Sequence, residues 1–135
     1  MNKGLKATIL VEPEPKGRVR GFVNKKSGRL QFYTPNKTVK TEAAIRAALV
    51  DKGYFFEKGI PLYLEATFYL SRPATAPRRI TMPAKKPDID NLMKTLTDAL
   101  EKFCYANDSQ ITTAHVLKRY GSPPRIELFI KEDNG

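Results

Sequence analysis

Asp88 and Asp90 stand one residue apart, immediately before the strongest amphipathic stretch of the chain. In an extended approach to a helix, alternate side chains project to the same side, so this spacing puts two carboxylates into one small volume. Their repulsion is costly unless a proton or a cation is shared, and a D-x-D at a helix entrance therefore suggests a divalent metal. Mg²⁺ suits such a pair, because it is bound mainly through carboxylates, waters and phosphate oxygens and needs few protein ligands. The competing reading is structural: Asp90 caps the helix, and Asp88 pairs with Lys86 or with an upstream arginine.

Lys94 follows Asp90 by four residues and Asp98 follows Lys94 by four, so the three share one helix face. As a surface pair, Lys94 and Asp98 contribute a few tenths of a kcal/mol. A cation near the first turn opposes the helix dipole, however, and this invites a second role for Lys94: an ammonium aimed at a scissile phosphate.

These side chains must be positioned by the elements around them. Leu92, Leu96, Ala99, Leu100 and Phe103 recur at helical spacing and predict a helix running on from the D-x-D. Upstream, residues 61–70, PLYLEATFYL, alternate Leu62, Leu64, Ala66, Phe68 and Leu70 against Tyr63, Glu65, Thr67 and Tyr69, a strand with one buried face. An earlier helix covers about 38–52 and is stopped by Gly53. Residues 5–11 and 30–34 suit strands, and the stretch between them, with Gly21, Ser27 and Gly28, reads as a basic hairpin or loop. Two further strands, 109–118 and 125–131, are joined across Gly121, Pro123 and Pro124, most simply as a hairpin. The order β, β, α, β, α, β, β predicts an α/β or α+β fold: a small mixed sheet with two main helices packed on one face.

The chain is strongly basic, with 24 Lys and Arg against 14 Asp and Glu and a net charge of +10. A polyanionic partner is the natural consequence. The cations concentrate in two acid-free arms. Residues 15–41 carry Lys16, Arg18, Arg20, Lys25, Lys26, Arg29, Lys37 and Lys40; residues 72–87 carry Arg72, Arg78, Arg79, Lys85 and Lys86 among four prolines. Solvated loops would account for either arm, but their lack of acids favours phosphate contacts. At 135 residues a single domain is expected. The first ten residues lack the apolar core and cleavage site of a secretory signal, no run is long enough to span a membrane, and Cys104 is the only cysteine. A cytoplasmic protein with no disulfide and no cysteine-based zinc site is expected. Cys104 reads as a buried small hydrophobe and His115, without a second His or Cys nearby, as a packed or hydrogen-bonded residue. Phe22, Phe32, Tyr33, Tyr54, Phe55, Tyr105 and Tyr120 are read first as core, with stacking on opened bases as the alternative.

The stretch KPDIDNLMKTLTDALEKFCYANDSQI, residues 86–111, resembles the signature of the RusA-type Holliday junction resolvases. The similarity combines the K-P-D-x-D-N-L-x-K opening, the D-A-L that follows and an acidic-Ser-Gln-hydrophobic turn. It extends more weakly to Arg18 and Arg20, to FYTP at 32–35, to SRP at 71–73 and to Lys118 and Tyr120. The resemblance implies a homodimeric endonuclease that cuts four-way DNA junctions symmetrically with Mg²⁺, for which Mn²⁺ substitutes, and with no small-molecule cofactor and no membrane partner. It implies Asp88, Asp90 and Asp108 as metal-binding catalytic carboxylates, Lys94 as the essential lysine, and Asn91, Asp98 and Gln110 as their support. Lys118 joins Lys16, Arg18, Arg20, Lys25, Lys26, Arg29, Arg72, Arg78, Arg79, Lys85 and Lys86 as expected DNA contacts. A nucleoid-associated protein of a bacterial or phage-infected cell fits this picture. One departure stands out: family members often carry two acids before Ser-Gln, and here Asn107 precedes Asp108. A junction-binding protein that has lost turnover is the alternative this raises; an RNA-binding, ribosome-associated protein is a second, supported by charge alone.

Overall fold

The computed structural model describes residues 4–135 and is built on four strands that share one sheet. Met1, Asn2 and Lys3, the start of the segment read for a signal, lie outside the described residues. Strand β1 (Gly4–Ile9) turns Leu5, Ala7 and Ile9 inward, and strand β4 (Leu62–Leu70) does the same with Leu62, Leu64, Ala66, Phe68 and Leu70. This is the period-2 alternation of a sheet with one covered face. Strands β5 (Ile111–Tyr120) and β6 (Arg125–Glu132) complete it in the order β1-β6-β4-β5.

The covered face carries two helices, α1 (Asn36–Leu49) and α2 (Ile89–Leu100). Ile45 and Leu49 of α1, and Leu92, Leu96, Ala99 and Leu100 of α2, join the inward residues of β1, β4 and β6 in one hydrophobic cluster, against which Ile111, Val116 and Tyr120 of β5 pack. Each such leucine contributes roughly 1.5–3 kcal/mol by leaving water. The α/β (α+β) mixed sheet with two helices on one face agrees with the expectation. The opposite sheet face keeps a partly exposed polar and aromatic surface, where Arg125 lies 3.9 Å from the centre of the Tyr69 ring and Lys131 5.1 Å from that of Tyr63.

Two expectations need correction. Strands β5 and β6 are not a hairpin, because β4 lies between them: β5 runs parallel to β4 along one edge and β6 antiparallel along the other. Strand β4, helix α2 and strand β5 form a crossover unit, so the chain arrives at the end of β4 and must pass around it to start β6. The turn is pinned there by the Gly121 N–H donating to the Leu70 carbonyl at 3.0 Å. A Cβ at 121 would fall 2.5 Å from the Tyr69 ring, which is why glycine stands there. The second correction concerns α2, which ends at Leu100; Lys102 takes a left-handed φ of 67° and Phe103 lies in the turn beyond the helix.

Strands β2 (Arg20–Val23) and β3 (Leu30–Tyr33) form a separate antiparallel ribbon, every residue of which is exposed. Its loop closes on Asn24, whose side-chain oxygen accepts from the Lys26 and Ser27 amides. Gly28, with φ of 70°, supplies the left-handed residue the turn requires.

Candidate active site and nucleic-acid interface

Helix α2 organises the site, and its entrance holds the D-x-D. Asp88 is the N-cap residue, with extended backbone angles, yet its side chain makes no capping hydrogen bond. Asp90 sits in the first turn. Residues 89 and 90 are already helical, so only Asp88 lies on extended backbone. Asp88 lines, with Asn91, a cleft of about 680 Å³ that also receives Glu14, Arg18, Lys85 and Lys86. Asp90 is aligned instead with Lys94, one turn on. Both carboxylates are exposed, and among the described residues neither forms an ion pair or a side-chain hydrogen bond. The capping and pairing roles that would have explained them structurally are therefore unfilled. The positive end of the helix dipole favours anions at this position by some tenths of a kcal/mol each.

The entrance is held in place from three directions. Leu92, fully buried, anchors the first turn. The Lys118 ammonium, reaching across from β5, donates to the Lys85 and Pro87 carbonyls at 2.7 and 2.9 Å. The Lys16 amide donates to the Asn91 carbonyl at 3.0 Å.

Midway along α2, Lys94 donates to Asp98 Oδ1 at 3.2 Å, the surface pair that the spacing predicts. The other oxygen of Asp98 is 2.9 Å from Lys16, which also meets Glu42 of α1 at 3.2 Å. Burial alone would raise the Asp98 carboxyl, but the Lys16 and Lys94 ammonium groups outweigh it and hold the carboxyl below its ordinary value. Burial would likewise lower Lys16, and Asp98 and Glu42 outweigh it upward.

Asp108 stands at the other end of the helix. It opens a short 3-10 turn (Asp108–Gln110) in which Asn107 caps by accepting from the Ser109 amide at 2.8 Å. The Gln110 side chain accepts from the Ala106 and Asn107 amides and donates to the Glu57 and Ile60 carbonyls, so this residue is buried and fully used as support. Tyr105, buried beneath, donates its hydroxyl to Asp108 Oδ1 at 2.7 Å, and the Asp108 amide donates to Glu101 at 2.9 Å. Burial raises the Asp108 carboxyl above its ordinary value, the Tyr105 hydroxyl opposes this, and the Glu101 and Asp98 charges add to it. Burial also pushes the neighbouring Cys104 thiol up to about 11, leaving it a packed, unreactive group.

Through Tyr105, whose hydroxyl also lies 3.5 Å from the Thr97 carbonyl, Asp108 is set beside the second half of α2, and the D-x-D lies at its start. Among the described residues no three Asp, Glu, His or Cys side chains converge to hold a metal ion.

Ten of the twelve expected DNA-contacting residues, Arg18, Arg20, Lys25, Lys26, Arg29, Arg72, Arg78, Arg79, Lys85 and Lys86, are exposed. Three of the twelve, Arg72 among them, make contacts within the chain. Lys16 and Lys118 make the contacts given above; Arg72 donates to the Pro77 and Ile80 carbonyls and lies 5.4 Å from the centre of the Tyr120 ring, folding its own arm back on itself.

The family described as endodeoxyribonuclease RusA matches residues 11–131, which takes in both arms, both helices and the turn bearing Asp108. The chain belongs to the RusA endodeoxyribonuclease family. It is similar to a crossover junction endodeoxyribonuclease rusA from Lactococcus phage r1t, 34% identical over 113 residues, covering 82% of this chain and 84% of that one. It is also similar to an uncharacterized protein, YqaN, from Bacillus subtilis (strain 168), 30% identical over 140 residues, covering 95% and 96%.

Against the RusA pattern, the Asn107 departure acquires a physical account. Its side chain is spent on a cap that Asn and Asp perform about equally well, so the substitution removes no hydrogen bond. The aromatics divide. Tyr105 is core, whereas Phe22, Phe32 and Tyr33 of the ribbon and Phe55 are each close to half exposed or more. Phe22 and Tyr33 meet edge to face at 5.9 Å on the ribbon. His115 stacks on Tyr63 at 5.6 Å on the open sheet face, away from α2. Sequence reading missed Glu42, Glu101 and Tyr105 as partners of the site, and no spacing signal connects Glu42 to α2. No helix among the described residues is long and apolar enough to cross a membrane.

Proposed function

We propose that this chain is a homodimeric, metal-dependent endodeoxyribonuclease that resolves four-way DNA junctions by paired phosphodiester hydrolysis. The observation that carries the proposal is the pair of exposed, unpartnered carboxylates at the entrance of α2, in a family of endodeoxyribonucleases, flanked by exposed cations. Carboxylates facing a polyanion would oppose binding if they had no cation to share, and this supports the Mg²⁺ or Mn²⁺ dependence that the resemblance implies.

The chain's own residues divide the remaining work. The exposed cations, several on the ribbon, fit contacts to the phosphates of the junction arms, with Phe22, Phe32 and Tyr33 available to stack on opened bases. Lys94, its side chain 58% exposed, stands on the Asp90 face, where its charge would favour the transition state of a phosphate over the ground state. Each copy would cut one strand, so that a twofold dimer sets two such sites against the two symmetric strands of a junction.

The test is cleavage of a synthetic four-way junction against matched linear duplex, with Mg²⁺, Mn²⁺ or EDTA, comparing the unaltered chain with D90N. Paired junction nicks that require the metal and vanish in D90N support the reading. Tight junction binding without a cut in either metal points to a binding protein that has lost turnover. A preference for RNA over junction DNA, unchanged by D88N, overturns the assignment.

A further inference from the structure

Lys16 begins the first basic arm, but its ammonium is half-buried against two carboxylates rather than free on the surface. Its backbone N–H donates a hydrogen bond to the Asn91 carbonyl, and the next amide, of Gly17, donates to Thr38 Oγ1 at 2.9 Å. A Cβ at Gly17 would meet Pro35 at 2.8 Å and Thr38 at 2.9 Å, so the arm root is seated tightly against α1. From there the side chain bridges α1 and α2, 3.2 Å from Glu42 and 2.9 Å from Asp98.

The charges around Asp98 then balance in a particular way. Two carboxylates, Glu42 and Asp98, with side chains 12% and 23% exposed, face two ammonium groups, Lys16 at 24% and Lys94 at 58%. With Lys16 present, Lys94 shares only one oxygen of Asp98 and keeps its head outward. Without it, the two half-buried acids would be one cation short, and Lys94, already in contact and carried on a flexible stem, would be drawn inward to replace it.

We propose that Lys16 is a positioning residue: by satisfying Asp98 from the inside, it leaves Lys94 presented on the face that carries Asp90. The inference rests on the nuclease reading above. It assigns to the arm root a task different from the phosphate contact that its composition suggests.

The experiment measures single-turnover junction cleavage for the unaltered chain and for K16M, K16R, D98N and K16M/D98N. Junction affinity is measured against salt in EDTA alongside. Positioning predicts that K16M slows cleavage about tenfold, the cost of a small misplacement of a reacting group, with affinity and salt slope unchanged. K16R recovers most of the rate, and in the D98N background K16M costs less than about twofold, because the two act as one unit. A salt slope lower by about 0.9, the signature of one lost phosphate contact, overturns the proposal, as does an undiminished K16M effect in D98N or full activity of K16M. If K16M fails to fold, D98N and K16M/D98N, in which opposed charges leave together, carry the test: equal rates support it and a further loss overturns it. If the unaltered chain cuts nothing, the nuclease reading fails first. The Lys94 ammonium resonance then decides the positioning, moving in K16M if Lys16 holds it outward and staying in place if not.

Discussion

At the N-terminal end of α2, Asp88 and Asp90 are exposed and touch no donor; near its C-terminal end, Asp108 accepts from Tyr105, stands on a capped turn and is half-buried. The same residue type is thus kept in two physical states along one helix. The unpartnered pair costs the fold little and leaves its lone pairs for something outside it. Asp108, by contrast, has its carboxyl raised by burial and by the acids around it, so its place is fixed by surroundings that do not favour its charge. The difference separates acids left open to solvent from an acid held in a set geometry.

The comparison breaks most readily at Asp90. D90N should reduce junction cleavage by 10²–10³-fold, the order expected when one electrostatic group is lost at a reacting centre, while stability changes by less than about 1 kcal/mol. Chemical denaturation alongside the cleavage assay checks both; a large loss of stability with cleavage retained would make Asp90 a cap after all.

D108N should likewise suppress cleavage, but with the opposite effect on the fold. Since the folded-state value of Asp108 is raised, ionising it costs more in the folded chain than in the unfolded one, so at neutral pH the charge works against folding. Asn keeps an oxygen for Tyr105, and the melting temperature should rise by a few degrees at pH 7. That gain should shrink as the pH falls and disappear below the unfolded carboxyl value of about 4. Melting curves from pH 3 to 8 would show it, and a variant less stable than the parent at pH 7 contradicts the account.

Y105F sharpens the contrast by removing the one donor on the Asp108 side chain. A loss of about 1 kcal/mol is expected, together with a further rise of the Asp108 carboxyl, readable by NMR titration. The smallest effect belongs to N107D: one good cap replaces another, and stability should move by no more than about 0.5 kcal/mol. If cleavage rises sharply in N107D, the second acid common in the family contributes through charge rather than through the turn.

Much of this was legible in the residues. Strand β4 and helix α2 follow from alternation and from helical spacing, and the D-x-D declares itself by position. The pairing of β5 was not legible: Gly121, Pro123 and Pro124 signal a turn, but a turn signal does not say whether the returning strand takes the near side or the far side of a neighbour. Nor could composition separate Lys16, Arg72 and Lys118, which make contacts within the chain, from the other expected DNA contacts. A long side chain reaching a carbonyl 31 residues away, as Lys118 reaches Pro87, leaves no periodic trace. The backbone under the D-x-D was only half legible: Asp88 is extended, whereas helix already begins at Ile89.

The position of β6 also bears on how the protein comes into being. It pairs with β1 on one side and β4 on the other, so the strand translated last of the six fills the middle of the sheet. Until residues 125–132 are made, β1 has no strand to pair with, whereas β4, α2 and β5, which precede them, already hold the residues of their crossover unit. The first strand of the sheet is thus joined to the others only through the last.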